Sequence, residues 1–192
     1  MQQLDPASKF AVLGMLSLRP GSGYDIKKLV SSSIGYFWNE SYGRIYPLLK
    51  QLSKDGFIRP VKERSNGNRE RQCYAITDKG TQALAGWLLR SPRAEPARSE
   101  LLLKMFFAGR IPHEVASAHV LDRQQHEERN LASYDLVEKQ IKREHAGHPE
   151  LPYWLSTVSY GRLRSEAIVS WCTETLARFS QLKTSQQKRG KK

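Results

Sequence analysis

Three apolar-periodic segments are fitted into the first 56 residues, and each is closed by a helix-breaking signal, so nothing longer than a short helix fits between the breaks. FAVLGMLSL, read as a helix from Ser8, stops at Arg19-Pro20-Gly21. SGYDIKKLV opens on Ser22 with Asp25 three residues on, the reciprocal pair of a helix N-terminus, and carries Ile26, Leu29 and Val30 at helical spacing. After a break around Gly35, SYGRIYPLLKQLSKDGFI sets Ile45, Leu48, Leu49 and Leu52 on one face and ends at Asp55-Gly56. Pro47 has no backbone N–H and sits well only in a first turn. Regular helix is therefore expected to begin near Gly43, with Ser41 and Tyr42 at its start.

The next segments change character. FIRPVK (57–62) and RQCYAIT (71–77) are rich in β-formers and are separated by ERSNGNRE, whose Asn66-Gly67 is a turn signal. A helix is expected from Thr77 through TDKGTQALAGWLLR, ending before Pro92. Short helices, a basic hairpin and a further helix make a winged helix-turn-helix, in which the third helix enters a groove and the wing lies on the backbone. SPRAEPARSE (91–100) has two prolines and reads as a linker. Beyond it the chain reads as helical, over 99–109, about 112–146 and about 153–180. In the last piece Trp154, Val158, Gly161, Ser165, Ile168, Cys172, Thr175 and Phe179 step by four and three, a seam that needs a partner helix. The preceding helix offers a thin stripe of Leu131, Tyr134, Val137 and Ile141, which predicts that the seam is buried against another subunit.

The expected class is mainly α with a small β wing. The expected organisation is a DNA-binding winged helix-turn-helix at 1–90, a linker at 91–100, a helical dimerisation and effector domain at 101–182, and a disordered basic tail at 183–192. Charge follows this division. The chain carries a formal +12, of which 1–90 hold +7, 91–182 hold zero and 183–192 hold +5. A surplus of positive charge on one module points to a polyanion as its partner. The tail reads either as a solvated end or as a source of non-specific phosphate attraction. A membrane partner is not expected: the best apolar run, LLLKMFFAG at 101–109, is broken by Lys104 and falls short of the ~18 residues a span needs. MQQLDPASKF lacks the basic-then-apolar order of a secretory signal, so a cytoplasmic location is expected. Cys73 and Cys172 lack metal-ligand spacing and read as buried thiols. No nucleophile elbow, phosphate loop, paired carboxylates or metal quartet is visible, and neither an enzyme nor a cofactor is expected.

SGYDI at 22–26, YGRIYPLLKQLSKDGFI at 42–58 and YAITDKG at 74–80 stand in the order of a known pattern, and the chain resembles the PadR-like transcriptional regulators. The C-terminal half resembles the longer members, with Trp171 matching a tryptophan of their last helix. The resemblance implies a homodimeric, sequence-specific binder of double-stranded DNA, commonly a repressor released by a small, often aromatic, molecule. An RNA- or ribosome-associated structural protein is the alternative, supported only by the tail.

Individual residues carry two readings each. Ser41, Tyr42, Arg44 and Tyr46 are candidates for base reading, since Arg44 can donate two parallel hydrogen bonds to guanine O6 and N7. Arg44 reads otherwise as a phosphate contact or a solvated side chain, and Tyr46 as a phosphate-bonded ring packed on the second helix. Gly23 and Tyr24 open the second helix, where free N–H groups suit a phosphate; Tyr24 could instead pack on the hairpin. Lys50 and Lys54, one turn apart, and Lys62, Arg64, Asn66, Asn68, Arg69 and Arg71 of the wing are candidate backbone contacts, or solvated side chains. Leu131, Tyr134, Trp154, Val158, Gly161, Ile168, Trp171, Cys172 and Phe179 are the candidate dimer interface. Trp87, Trp154 and Trp171 read as core or as the lining of a pocket for a flat ligand. His119 and His126 share a helix face with nothing to complete a metal site.

Overall fold

The computed structural model describes residues 6–38, 40–64, 70–94 and 98–189, with side chains at 7–38, 40–62, 72–94 and 98–181. Two compact units divide the chain, 1–94 and 95–192.

In the first unit Pro6, tolerated at a helix start because no N–H is needed there, opens α1 (Pro6–Leu18). The Ser22 hydroxyl accepts from the Asp25 N–H at 3.3 Å while the Asp25 carboxylate accepts from the Ser22 N–H at 2.9 Å, which starts α2 (Gly23–Ser33). α3 (Tyr42–Lys54) follows and ends where Gly56 takes φ +76°, a backbone conformation that suits a residue without Cβ. β1 (Ile58–Arg64) pairs antiparallel with β2 (Glu70–Ile76), from Ile58 opposite Ile76 to Arg64 opposite Glu70. α4 (Asp78–Leu88) is capped by Thr77, whose hydroxyl accepts from the Gly80 N–H at 3.2 Å. Val12, Leu13, Leu16, Ile26, Val30, Ile45, Leu49, Leu52 and Ile58 are all 2% exposed or less and join the three helices to the first strand. At ~1.5–3 kcal/mol for each large side chain removed from water, this core is what positions α3. The winged helix-turn-helix is therefore present, with one addition: Gly21 exchanges both backbone hydrogen bonds with Tyr74, at 2.9 and 3.0 Å, and so extends the hairpin.

In the second unit α5 (Glu100–Phe106) and a single 3-10 turn (Ala108–Arg110) lead into α6 (His113–Glu144) and α7 (Leu151–Arg189). α6 and α7 run antiparallel, because their contacts come in reverse order: His113 on Phe179 at 5.4 Å, Gln124 bonded to Thr173 at 3.3 Å, Glu127 to Ser165 at 2.6 Å, and Glu138 to Arg162 at 3.4 Å. This corrects the expected seam. Val158, Gly161, Ser165 and Cys172 are buried, and the helix that faces this seam is α6 of the same chain. A Cβ at Gly161 would stand 2.7 Å from the Tyr134 ring, so the glycine is the recess that receives the tyrosine. Tyr134, Val158, Gly161 and Cys172 are thus occupied within one chain and are not available to a second subunit; Leu131, Trp154, Ile168, Trp171 and Phe179 are half-buried. The facing stripe of α6 was hard to see because it mixes Ala116, Val120 and Tyr134 with a buried glutamate, Glu127. Burial pushes the Glu127 carboxyl up, but bonds from Ser165 and Asn130 and the Arg123 charge pull it down, for a net lowering.

α7 continues as helical backbone to Arg189, since KTSQQKR contains no breaker before Gly190 and is made largely of good helix formers. No helix among the described residues is long and apolar enough to cross a membrane.

Candidate nucleic-acid interface

α3 is amphipathic because its apolar residues recur every three or four positions. Ile45, Leu48, Leu49 and Leu52 point inward, and Ser41, Tyr42, Gly43, Arg44, Tyr46, Pro47, Lys50, Gln51 and Lys54 are exposed. Ser41 is the N-cap residue with an extended backbone, φ −80° and ψ 156°, and its side chain makes no capping bond. Regular helix begins at Tyr42, one residue before the start expected from Pro47. The proline occupies the sixth helical position, where its missing N–H would have bonded the Gly43 carbonyl.

The four candidate base readers are all exposed but do not form one patch. At ~100° per residue, Arg44 and Tyr46 project about 160° apart around the helix. Gly43, Pro47, Lys50 and Lys54 lie along the outermost line between them, with Arg44 and Gln51 on one flank and Tyr42 and Tyr46 on the other. A glycine and a proline on the crest keep the first two turns low, so this helix end can approach a groove closely while longer side chains reach in from the flanks.

The tyrosine flank continues onto α2. Tyr24 lies 6.5 Å from Tyr42 at an interplanar angle of 12°, and Tyr42 lies 6.5 Å from Tyr46 at 23°, within the usual range for offset aromatic pairs. All three are about half exposed, and three phenol groups stand in a row at the starts of α2 and α3. Gly23 is buried beneath them. A Cβ there would sit 2.8 Å from the Tyr46 ring, which makes Gly23 the gap into which Tyr46 fits.

Arg44 has a partner that the sequence reading passed over. Glu40, only 3% exposed, accepts a hydrogen bond from the Ser8 hydroxyl of α1 and faces the Arg44 guanidinium at 4.0 Å. On the wing, Lys62 is exposed opposite Gln72. Arg64 and Arg71 belong to β1 and β2, and their side chains, with Asn66, Asn68 and Arg69 entirely, lie outside the described residues.

The tryptophans offered as pocket lining, Trp87 or else Trp154 and Trp171, belong to different units of the chain. Trp87 stacks on Phe10 with ring centroids 4.8 Å apart and planes at 7°, which ties α4 to α1 inside the first unit. Trp154 is flanked by His148 at 4.6 Å and His145 at 5.0 Å beside the α6–α7 turn. Trp171 lies 17 residues further along α7, about 25 Å at ~1.5 Å per residue, so the two cannot line one small-molecule pocket in the same subunit. Among the described residues no group of three or more His, Cys, Asp or Glu is placed to hold a metal ion.

Comparison with known proteins places this geometry. Residues 12–86 match the model described as "Transcriptional regulator PadR-like family", and residues 97–180 match "Virulence activator alpha C-term". The negative transcriptional regulator PadR of Bacillus subtilis (strain 168) is 30% identical over 174 residues, which are 88% of this chain and 95% of that protein. The crystal structure of Bacillus subtilis PadR in complex with operator DNA superposes with a TM-score of 0.78 at 29% identity, over 90% of this chain and 99% of that one. Its crystal structure in complex with p-coumaric acid gives 0.73 at 28% identity, over 93% and 99%.

Proposed function

This chain belongs to the PadR-like family of DNA-binding transcriptional regulators, which are not enzymes, and from that premise we propose that it is a cytoplasmic homodimeric repressor that reads an inverted-repeat operator and is released by a small aromatic ligand. The observation that carries the DNA-reading part is the exposed face of α3, a low Gly43–Pro47 crest between Arg44 and the tyrosine row. The repressor role is supported by the name of the relative, a negative regulator. The ligand class is supported by the relative's complex with p-coumaric acid. In a dimer the two α3 helices enter successive major grooves, so half-sites stand ~34–36 Å apart.

Selection of bound duplexes from a random pool gives the operator and tests the reading directly. Recovery of an inverted repeat with that spacing supports it, and recovery of unrelated sequences rejects it. On the selected site, Arg44→Ala is expected to lose ~1–3 kcal/mol of discrimination at one base pair while keeping most of the salt dependence. Lys50→Ala is expected to weaken selected and random DNA alike and to reduce the slope of log K against log salt by ~1. Binding isotherms by fluorescence anisotropy at several salt concentrations separate the two outcomes.

For the effector, titration with p-coumaric acid is expected to release the operator and to change tryptophan emission. Because Trp154 and Trp171 stand far apart on α7, the emission change should disappear in only one of Trp154→Phe and Trp171→Phe. A change that survives both substitutions removes the pocket from this face of α7.

A further inference from the structure

Gln51 is exposed in the second half of α3, on the Arg44 side and about 70° from the crest at ~100° per residue. Seven residues separate it from Arg44, about 10 Å at ~1.5 Å per residue, so a base that it meets belongs to a different base pair. Its amide does not stand alone. Nε2 donates to Asp55 Oδ1 at 2.9 Å and to Oδ2 at 3.0 Å. A carboxylate offers acceptors only, so both contacts require the nitrogen of the amide, and the oxygen has to lie at the other end. Asp55 is one turn further on, at the C-cap with helical backbone, φ −80° and ψ −4°, and about 40° further from the crest. The nitrogen is therefore drawn off the crest, and Oε1 is left on the crest side.

The orientation matters because a glutamine is otherwise ambiguous. Turning its amide over by a half-rotation exchanges donor and acceptor with almost no change of shape, and the side chain then suits any base edge. With the nitrogen held by Asp55, the group on the crest side is an acceptor. In the major groove an acceptor meets a donor only at adenine N6 and cytosine N4, whereas guanine O6, thymine O4 and the purine N7 atoms face it with further lone pairs. We infer that Gln51 is a specificity-determining residue of α3, an acceptor for the exocyclic amine of adenine or cytosine, and that Asp55 is the positioning residue that fixes its amide. This rests on α3 entering the major groove and does not need Arg44 to read a base. It also accounts for an acid at the end of a DNA-facing helix, where a negative charge opposes both the helix dipole and the attraction to phosphate: what is lost there is returned as orientation.

The test uses the full-length protein and the selected duplex, in which each position is replaced in turn by the other three base pairs. The parent should show one position, apart from any that Arg44→Ala alters, where the two base pairs that place an amine on the same strand, A·T and C·G, bind more tightly than T·A and G·C. A single hydrogen bond to a neutral acceptor sets the expected preference at about 2- to 10-fold. Gln51→Ala should level the four base pairs there and leave the other positions as they were. Asp55→Asn lets the amide turn over, so it should narrow the same preference and add nothing when Gln51 is already alanine. Removing a negative charge from a helix C-terminus is not expected to lower the melting temperature, which separates this effect from folding. Preferences unchanged at every position in Gln51→Ala, or loss of a preference for guanine or thymine, overturn the inference. A narrowing by Asp55→Asn that persists without Gln51 overturns the positioning role. If the parent shows no base-pair preference at any position, the groove-reading premise has failed and the base-reading role with it, and the hold on the amide is then decided without DNA. 15N relaxation of Gln51 Nε2 should report greater motion in Asp55→Asn than in the parent, and equal motion in the two proteins overturns it.

Discussion

Replacing Leu103 and Phe106 by aspartate is expected to turn the proposed homodimer into a monomer and to lower affinity for the full operator by ~100- to 10,000-fold, the range in which linked binding of two modules exceeds binding of one. Within a single chain the expected α7 seam is already closed by α6, so a subunit interface has to come from other residues. Exposed large apolar side chains concentrate from α5 into the start of α6: Leu102, Leu103, Phe106 at 82%, Phe107, Ile111 and Val115. Soluble monomers rarely leave such a run uncovered. Leu103 and Phe106 are three residues apart on α5 and share a face, and neither is part of a buried cluster, so a charge at each costs the isolated chain little. Between two subunits the same charges would be buried without partners, which is prohibitive. Sedimentation should show the monomer, and the variant should bind a half-site as the parent does while losing the advantage of the full site. A variant that stays dimeric would move the interface to the outer faces of α6 and α7, where Leu136, Tyr153, Tyr160 and Leu163 are exposed.

Local chemistry was legible where it is local. Ser22 with Asp25, Asp55-Gly56 and Thr77 each mark an element boundary through bonds to near neighbours in sequence, and the structure begins or ends a helix at each. The order of helices and hairpin followed from these boundaries, and the winged helix-turn-helix from the order. What escaped depends on residues far apart. Glu40 looks like any surface acid until Ser8, 32 residues away, is brought against it. The Gly21–Tyr74 bridge joins two positions with no strand pattern at the first. The α6 stripe escaped for a different reason: a buried glutamate satisfied by Ser165 and Asn130 does not read as core. On α3 the sequence named the exposed residues but not their division into two flanks, because that requires the inward face to be known first.

Gly80→Ala is expected to cost about 3 kcal/mol, the upper part of the ~1–3 kcal/mol range for overpacking, and so to lower the melting temperature of the first unit by roughly 12–24 °C. The added Cβ would stand 2.2 Å from the Phe57 carbonyl oxygen and 2.7 Å from the Ile76 side chain. A flexible side chain could swing away from such a contact, but this obstacle is backbone. That carbonyl also accepts the Thr77 N–H at 3.0 Å and the Thr77 hydroxyl at 3.0 Å, the bonds that fasten the start of α4 to the start of the wing. Relief of the clash therefore pulls apart the junction through which the hairpin is positioned beside α3, and DNA affinity should fall together with stability. Gly86→Ala supplies the comparison. It lies on the same helix with nothing within 4 Å of its Cβ position, so the gain in helix propensity, ~0.5–1 kcal/mol, should raise the melting temperature. Opposite signs from one chemical change at two positions of α4, measured by calorimetry, would separate the close approach at Gly80 from any general effect of alanine. Equal signs would show that α4 moves freely against β1, in which case the wing is not held by this junction.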